Sequence, residues 1–222
     1  MSEESLNIKR KIRNYMGRID NPYIMEAGTN DCEDTIEYFQ IFKDPTIFGF
    51  EPVTLVYLQA WNNIKLAGLE KVMLVNKAIG NKNGKINFFV SDNNGLSSSS
   101  KIPDLHLSIY PNVHFNNSEQ VDCVRLDDYF IDARKSNQLV DLFHLDVQGN
   151  EKEVIEGGMD FFKNKVKFLY TEFSKVPLYD GAIGKYEILN LLNIFGDWEE
   201  VETMWEWEYD GNVLLRNRKL VD

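Results

Sequence analysis

From residue 23 to about residue 195 short apolar runs alternate with amphipathic helical stretches, and no other property of the chain narrows its fold as far. Parallel neighbours need a crossover long enough to carry the chain back, so this alternation predicts an α/β protein: a mostly parallel sheet with helices on both faces. Strands are expected at residues 23–27, 46–50, 71–76, 140–146 and 166–173, and helices near 32–42, 53–67, 151–163 and 185–195. Between the third and fourth strands lies an insertion with strand-like pieces KINFFVS at 85–91 and VDCVRL at 121–126. The period then changes. TMWEWEY at 203–209 alternates Trp205 and Trp207 against Glu206 and Glu208, Asp210-Gly211 supplies a two-residue turn, and NVLLRN at 212–217 returns, which predicts an antiparallel hairpin.

A chain of 222 residues with 43% hydrophobic content has room for one sizeable core, so a single domain over residues 1–222 is expected, with an N-terminal helical extension (1–20) and an insertion with a lid loop (81–126). The net charge of −11 disfavours DNA and bulk RNA, whose binding rests on Lys and Arg. No run has the length of a membrane span and MSEESLNIKRKIRNY lacks an apolar signal core, so a cytoplasmic protein is expected. Cys32 and Cys123 read as reduced thiols, and neither CxxC nor HExxH spacing is present. The basic cluster Lys9, Arg10, Lys11 and Arg13 reads as the wet side of a leading helix, and DNNGLSSSSKIPD at 92–104 as a mobile polar loop.

In YIMEAGTNDCEDT at 23–35 an apolar run ends in Glu26, passes one turn glycine, Gly28, and enters a helix with an acidic first turn. Dinucleotide sites use G-x-G-x-x-G, so that backbone approaches a pyrophosphate resting on the positive helix end. Here Gly28 stands alone, and Asp31, Glu33 and Asp34 put negative charge where a phosphate needs a positive field. S-adenosylmethionine brings no phosphate and carries a sulfonium and an ammonium; the acids argue against NAD and allow it. For Glu33 and Asp34 helix capping and solvation are the favoured roles, with Asp31 as N-cap. Glu26, a carboxylate closing an apolar strand, is poorly explained by packing and is assigned to function.

Open α/β sheets bind ligands outside the carboxyl ends of their strands. Four of those ends carry carboxylates: Glu26, Glu51 in IFGFEP, Asp146 in DLFHLDVQGNE and Glu172 in FLYTEFS. An acid at the second strand end is suited to accept both ribose hydroxyls. The competing assignments are helix caps, Glu51 ahead of Pro52 and Asp146 ahead of Asn150.

The set EAGTND, GFEP, NKAIGNKNGKINFFVSD, VRLDDYF, LDVQGNEKEVIEGG and YTEFS resembles the FkbM-type S-adenosylmethionine-dependent methyltransferases over roughly residues 20–195. The resemblance implies a Rossmann-like class I methyltransferase fold, a mostly parallel seven-stranded sheet ending in an antiparallel hairpin, and methyl transfer from S-adenosylmethionine to a hydroxyl, often on a sugar, a glycan or a natural product. It also implies that Glu26, Gly28, Asn30 and Asp31 surround the methionine part, that Glu51 takes the ribose, that the Ala78 backbone flanks the adenine, and that Ser98 and Ser99 close over the site. Asp146 and Glu151 belong to the D-x-x-G-x-E signature. Two departures stand out: His144 occupies a position where many members have lysine, and Asn30 and Cys32 occupy a stretch where many have a second glycine.

A sugar hydroxyl must lose its proton during or after attack, so a base beside it is useful. Asp146 is the first candidate to orient or deprotonate the acceptor, His144 the second, one pleat deeper on the same strand face. Glu172 joins them, and Asp146 with Glu172 would be the ligands of a magnesium ion, which the positions allow but which is not expected. Tyr179, Asp180 and Glu151 are assigned to acceptor contacts, and Trp205 and Trp207 are core aromatics before they are stacking platforms. Alternatives kept open are O-methylation of a small natural product, a module that binds S-adenosylmethionine without turnover, and an NAD-linked oxidoreductase, which the missing glycines oppose.

Overall fold

A computed structural model describes residues 3–130, 138–205 and 208–221. The central seven-stranded sheet uses β1 (Tyr23–Ala27), β2 (Thr46–Phe50), β3 (Val72–Val75), β7 (Val140–Leu145), β8 (Val166–Ser174), β9 (Trp198–Trp205) and β10 (Asp210–Asn217), in the order β3-β2-β1-β7-β8-β10-β9. The first five pair in parallel, and β10 runs antiparallel to both β8 and β9. The strand order reverses beside β1, which lies between β2 and β7. A smaller sheet, β4-β6-β5, is made by β4 (Ala78–Ile79), β5 (Gly84–Val90) and β6 (Asn117–Val124). It gathers both strand-like pieces of the insertion and adds β4, too short to show a period.

Each strand of the large sheet alternates its burial between two cores, as a two-residue repeat requires. Met25, Ala27, Phe143 and Leu145 face α6 (Glu151–Gly157), α7 (Met159–Lys165) and α8 (Lys185–Phe195). Ile24 and Leu142 face α1 (Glu3–Met16) and α2 (Glu33–Ile41), where Ile12, Tyr38 and Ile41 pack on them. α3 (Thr54–Leu66) covers β3, while α4 (His106–Ile109) and α5 (Leu126–Tyr129) are single turns within and after the insertion. No helix among the described residues is long and apolar enough to cross a membrane. Both cysteines are free and buried.

Four expectations need correction. The helix expected at 151–163 is two helices, α6 and α7, because Gly158, at φ −132° and ψ 29°, leaves helical geometry and serves as C-cap of the first and N-cap of the second. Asp210-Gly211 is not the hairpin turn: Gly211 pairs with Trp205 and Asp210 with Ser174, so the reversal precedes them. The Asp210 carboxylate is drawn into the sheet end by Ser174 and Tyr110, whose hydroxyls donate to it at 2.6 and 2.5 Å. Lys9 is not on the wet side of α1. It is 3% exposed, its ammonium bonded to Asp34, Glu37 (2.6 Å) and Ser5 (2.9 Å). Within the roof loop at 92–104, Ser97, Ser98 and Ser99 are buried, Ser99 fully, while Asp92, Asn94, Leu96, Ile102 and Asp104 are exposed. Trp205 is half exposed and packs edge-on against Phe173, 5.0 Å between centroids, with Lys175 over its ring; Trp207 and Glu206 lie outside the described residues.

Candidate active site

The carboxyl ends of β1, β2, β3 and β7 open into one cleft of about 470 Å³ at the point where the strand order reverses. Its floor is backbone. Gly28, at φ +82°, turns the chain so tightly over the end of β7 that a β-carbon would lie 1.8 Å from the Asp146 carbonyl oxygen. The loop that follows takes glycine-like dihedrals at non-glycine residues, Asn30 (φ 45°) and Cys32 (φ 68°). This answers the missing second glycine: the backbone shape is kept, and Asn30 holds it by accepting the Asp31 N–H at 2.8 Å and donating to the Asn94 carbonyl at 3.2 Å. Cys32, not Asp31, stands at the N-cap of α2, and Asp31 instead accepts the Glu33 N–H at 3.2 Å.

Glu51 projects from the end of β2 into the cleft wall, 5% exposed. One oxygen accepts the Asn30 N–H at 3.0 Å and the other the Val53 N–H at 2.8 Å, so it caps α3 and fixes the first loop at once. Burial pushes its carboxyl up to about 7 although both backbone bonds favour the charged form. Ala78, in β4, and Lys77 line the far wall.

On the opposite side Asp146 follows β7 and Glu172 lies near the end of β8. Their carboxyls face one another closely enough to hydrogen-bond, and the Gln148 side-chain N–H₂ donates to both, at 2.8 Å to Asp146 and 2.9 Å to Glu172. Burial and the adjacent Asp146 push Glu172 well above the usual carboxylate range; burial likewise raises Asp146, against the hydrogen bond from Gln148. Two carboxylates this close do not both ionise readily, so the pair retains a proton at higher pH than either acid alone. Glu151, 4% exposed, accepts the Val147 and Gly149 N–H groups at 3.4 and 3.3 Å, and burial raises it to about 7. The Gln148 donor occupies the space between Asp146 and Glu172 where a cation would sit, and among the described residues no group of three or more His, Cys, Asp or Glu is placed to hold a metal.

The family described as the methyltransferase FkbM domain matches residues 26–209. This chain is an FkbM methyltransferase family member. It is 35% identical to the 2-O-methyltransferase NoeI of Sinorhizobium fredii (strain NBRC 101917 / NGR234), an alignment spanning 97% of this chain and 87% of that one. Among solved structures it resembles a SAM-dependent methyltransferase from Aquifex aeolicus (TM-score 0.52, 11% identity, 96% and 93% of the two chains). It also resembles magnesium protoporphyrin IX methyltransferase (ChlM) from Synechocystis PCC 6803 with bound SAM (TM-score 0.54, 8% identity, 96% and 79%). These two likenesses establish the class I methyltransferase fold, with its mostly parallel sheet and terminal antiparallel hairpin.

Within this FkbM fold Gly28, Asn30, Asp31, Glu51, Ala78, Ser98 and Asp146 come together around the cleft. Ser99 stands behind it, its hydroxyl donating to the Gln148 carbonyl at 2.7 Å, while the unforeseen Ser100 lines the cleft and donates to Asn150 at 2.8 Å. Glu172, Glu151 and Tyr179 surround a second, smaller cavity next door. Three expected residues are not brought to either space. Glu26 and His144 are partners across β1 and β7, on the strand face that carries Ile24 and Leu142, so alternation sends both side chains beneath α2. There Glu26 accepts the Thr35 hydroxyl, and the His144 Nδ1 lies 3.9 Å from Glu26 and 4.0 Å from Asp34. Burial would lower His144, but the bond to Glu26 and the charge of Asp34 win and raise it. Asp180 is exposed, and its N–H donates to the Ile102 carbonyl at 3.0 Å.

Sequence reading missed Gln148, which lay inside the LDVQGNE block but carries no titratable group to attract notice, and the pairing of the half-exposed Asp34 with buried Lys9. Burial opposes the charge on Lys9, yet Asp34 and Glu37 outweigh it and raise that ammonium. Only a basic residue in the leading helix, four places after Ser5, hinted at this.

Proposed function

We propose that this chain transfers a methyl group from S-adenosylmethionine to a hydroxyl oxygen of a sugar or glycan. The observation that carries the reading is Asp146 on the wall of a cleft with an acidic rim, its carboxyl tied through Gln148 to Glu172 behind it. The cleft's size falls within the ~300–1,000 Å³ of small-molecule sites. Its residues fit the donor: Glu51 would hold the ribose hydroxyls, the Ala78 backbone would flank the adenine, and the Gly28–Asp31 loop would hold the amino-acid part, with Asp31, Asp34 and Asp146 matching its positive groups.

When bound, S-adenosylmethionine supplies a methyl carbon attached to a cationic sulfur. The protein's task is then to orient the acceptor and accept its proton. A carboxyl pair that shares one proton still carries one negative charge at neutral pH, and its raised affinity for protons makes it a better base than an isolated aspartate. Asp146, which faces the cleft, would accept the hydroxyl proton, with Glu172 sharing the charge and Gln148 fixing both. His144 would act one step back, holding Asp34 and Glu26 rather than touching the acceptor. The 35% identity to a protein named a 2-O-methyltransferase supports a hydroxyl acceptor. The test is mass spectrometry of glycosides incubated with the protein and isotope-labelled S-adenosylmethionine. A gain of one labelled methyl on oxygen is expected, and its absence across glycans and polyketide-like alcohols alike would end the proposal.

A further inference from the structure

Behind the Asp146–Glu172 pair lies a second cavity of about 210 Å³, between the end of β8 and residues 174–184. Its lining combines the acids Glu151 and Glu172 with the apolar Val176, Leu178 and Ile183, and with Tyr179, whose hydroxyl donates to the Ser97 carbonyl of the roof loop. Asp146 and Gln148 line the larger cleft, Glu172 and Tyr179 the smaller cavity, and the Gln148 carboxamide spans the boundary between them. Its N–H₂ donates to Asp146 and Glu172, and its oxygen lies 2.9 Å from the Tyr179 hydroxyl.

Resting on the methyl-transfer reading, we propose that the second cavity is the acceptor subsite, that it takes one polyhydroxylated ring, and that Gln148 is the movable partition between that ring and the donor cleft. The size limits the occupant: the cavity is smaller than the ~300–1,000 Å³ of sites that enclose a whole drug-sized ligand, so one ring enters and the rest of a longer acceptor stays outside. The lining selects its chemistry. Carboxylates accept from hydroxyls, and the aliphatic residues of the lining suit the C–H face of a pyranose, which is apolar on its faces and polar at its edge.

The partition is cheap to move. The Tyr179 hydroxyl has one proton and two acceptors, the Ser97 carbonyl at 2.8 Å and the Gln148 oxygen at 2.9 Å, so losing the carboxamide leaves Tyr179 still satisfied. Two ring hydroxyls arriving beside Asp146 and Glu172 donate one proton to each in place of the two Gln148 N–H groups, so no buried acceptor is left bare once the exchange is complete. The backbone of Gln148 meanwhile stays fixed, because its carbonyl accepts the Ser99 hydroxyl from the roof.

The experiment is saturation-transfer NMR of the full-length protein, loaded with S-adenosylhomocysteine, against a panel of simple methyl pyranosides. Ring protons of at least one pyranoside should be saturated by the wild type. Ala182→Phe, which fills the second cavity from its wall, should abolish that signal while calorimetry finds S-adenosylhomocysteine affinity unchanged within about threefold, under 1 kcal/mol. Should Ala182→Phe fail to fold, Ala182→Leu is the smaller plug. Gln148→Ala should keep the signal, since the arriving hydroxyls take over the donation to Asp146 and Glu172 that the carboxamide made. The subsite is refuted if no pyranoside is saturated, if the signal survives a folded plug variant, or if Gln148→Ala removes it. Failure of the methyl-transfer reading would look different: the wild type would give no heat with S-adenosylhomocysteine at all.

Discussion

The two walls of the cleft are built in different ways. On the side of β1, β2 and β3 the shape comes from the chain itself: the Gly28 turn, two left-handed residues after it, and one carboxylate, Glu51, that accepts N–H groups from both neighbouring loops. On the side of β7 and β8 it comes from side chains that meet from separate segments, with Gln148 joining Asp146, Glu172 and Tyr179, and Ser99 reaching in from the roof. The first wall is fixed once its strands pair. The second depends on the insertion and the β8 loop arriving together, and it concentrates groups that hold protons. Recognition of a constant donor suits the former, and adaptation to a particular acceptor suits the latter.

The contrast breaks most severely at Gly28. Gly28→Val would drive a side chain into the Asp146 carbonyl, so a loss of stability on the order of 4 kcal/mol is expected, read from the urea midpoint. A stable Gly28→Val protein would mean that the backbone wall is not rigid. Next comes Asp146→Asn, which keeps size but removes charge: turnover on a working acceptor should fall by roughly 100-fold, with S-adenosylhomocysteine affinity much less affected. Equal losses in both would assign Asp146 to the donor wall instead.

Glu51→Ala should weaken S-adenosylmethionine and its demethylated product by about 1.5–3 kcal/mol in calorimetry, as for a lost charge-assisted hydrogen bond. Its titration supplies a sign. Because the folded carboxyl is raised from 4.5 to about 7, the stabilisation it gives the free protein is full below 4.5 and is lost as pH rises to about 7; Glu51→Gln should flatten that stretch of the stability profile. Ligand affinity should run the other way, rising through pH 7 as the acceptor form appears. The smallest effect belongs to Ser99→Ala, which removes the ties to the Gln148 carbonyl and the Lys101 N–H; about 1 kcal/mol of stability and faster amide exchange over 92–104 are expected.

The same contrast explains what the sequence disclosed. The large sheet was legible because its parallel strands carry short, mostly apolar runs, and Gly28, Glu51 and Asp146 because each follows the end of such a run. Glu26 and His144 misled for a related reason: they share those strand ends, but one residue of phase decides whether a side chain enters the cleft or turns beneath α2. Gln148, Ser100 and the second cavity were not legible, since their roles arise only where residues 97–100, 148–150, 172 and 179 converge, and nothing local in any of those segments marks the others. The burial of Lys9 was hidden likewise, because its partners lie 25 and 28 positions away on another helix.

That lysine bears on where the working unit begins. The family match starts at residue 26, which would make α1 a dispensable leader. Yet Ile12, Lys9 and Glu37 are each 3% exposed or less, and Ser5 reaches the rim of the cleft. A chain trimmed to the matched region would expose Tyr38 and strand the Glu37 carboxylate without its cation, a debt of several kcal/mol by the usual cost of breaking a buried ion pair. Anyone shortening this protein for crystallisation or for grafting onto another enzyme should therefore keep the whole of α1.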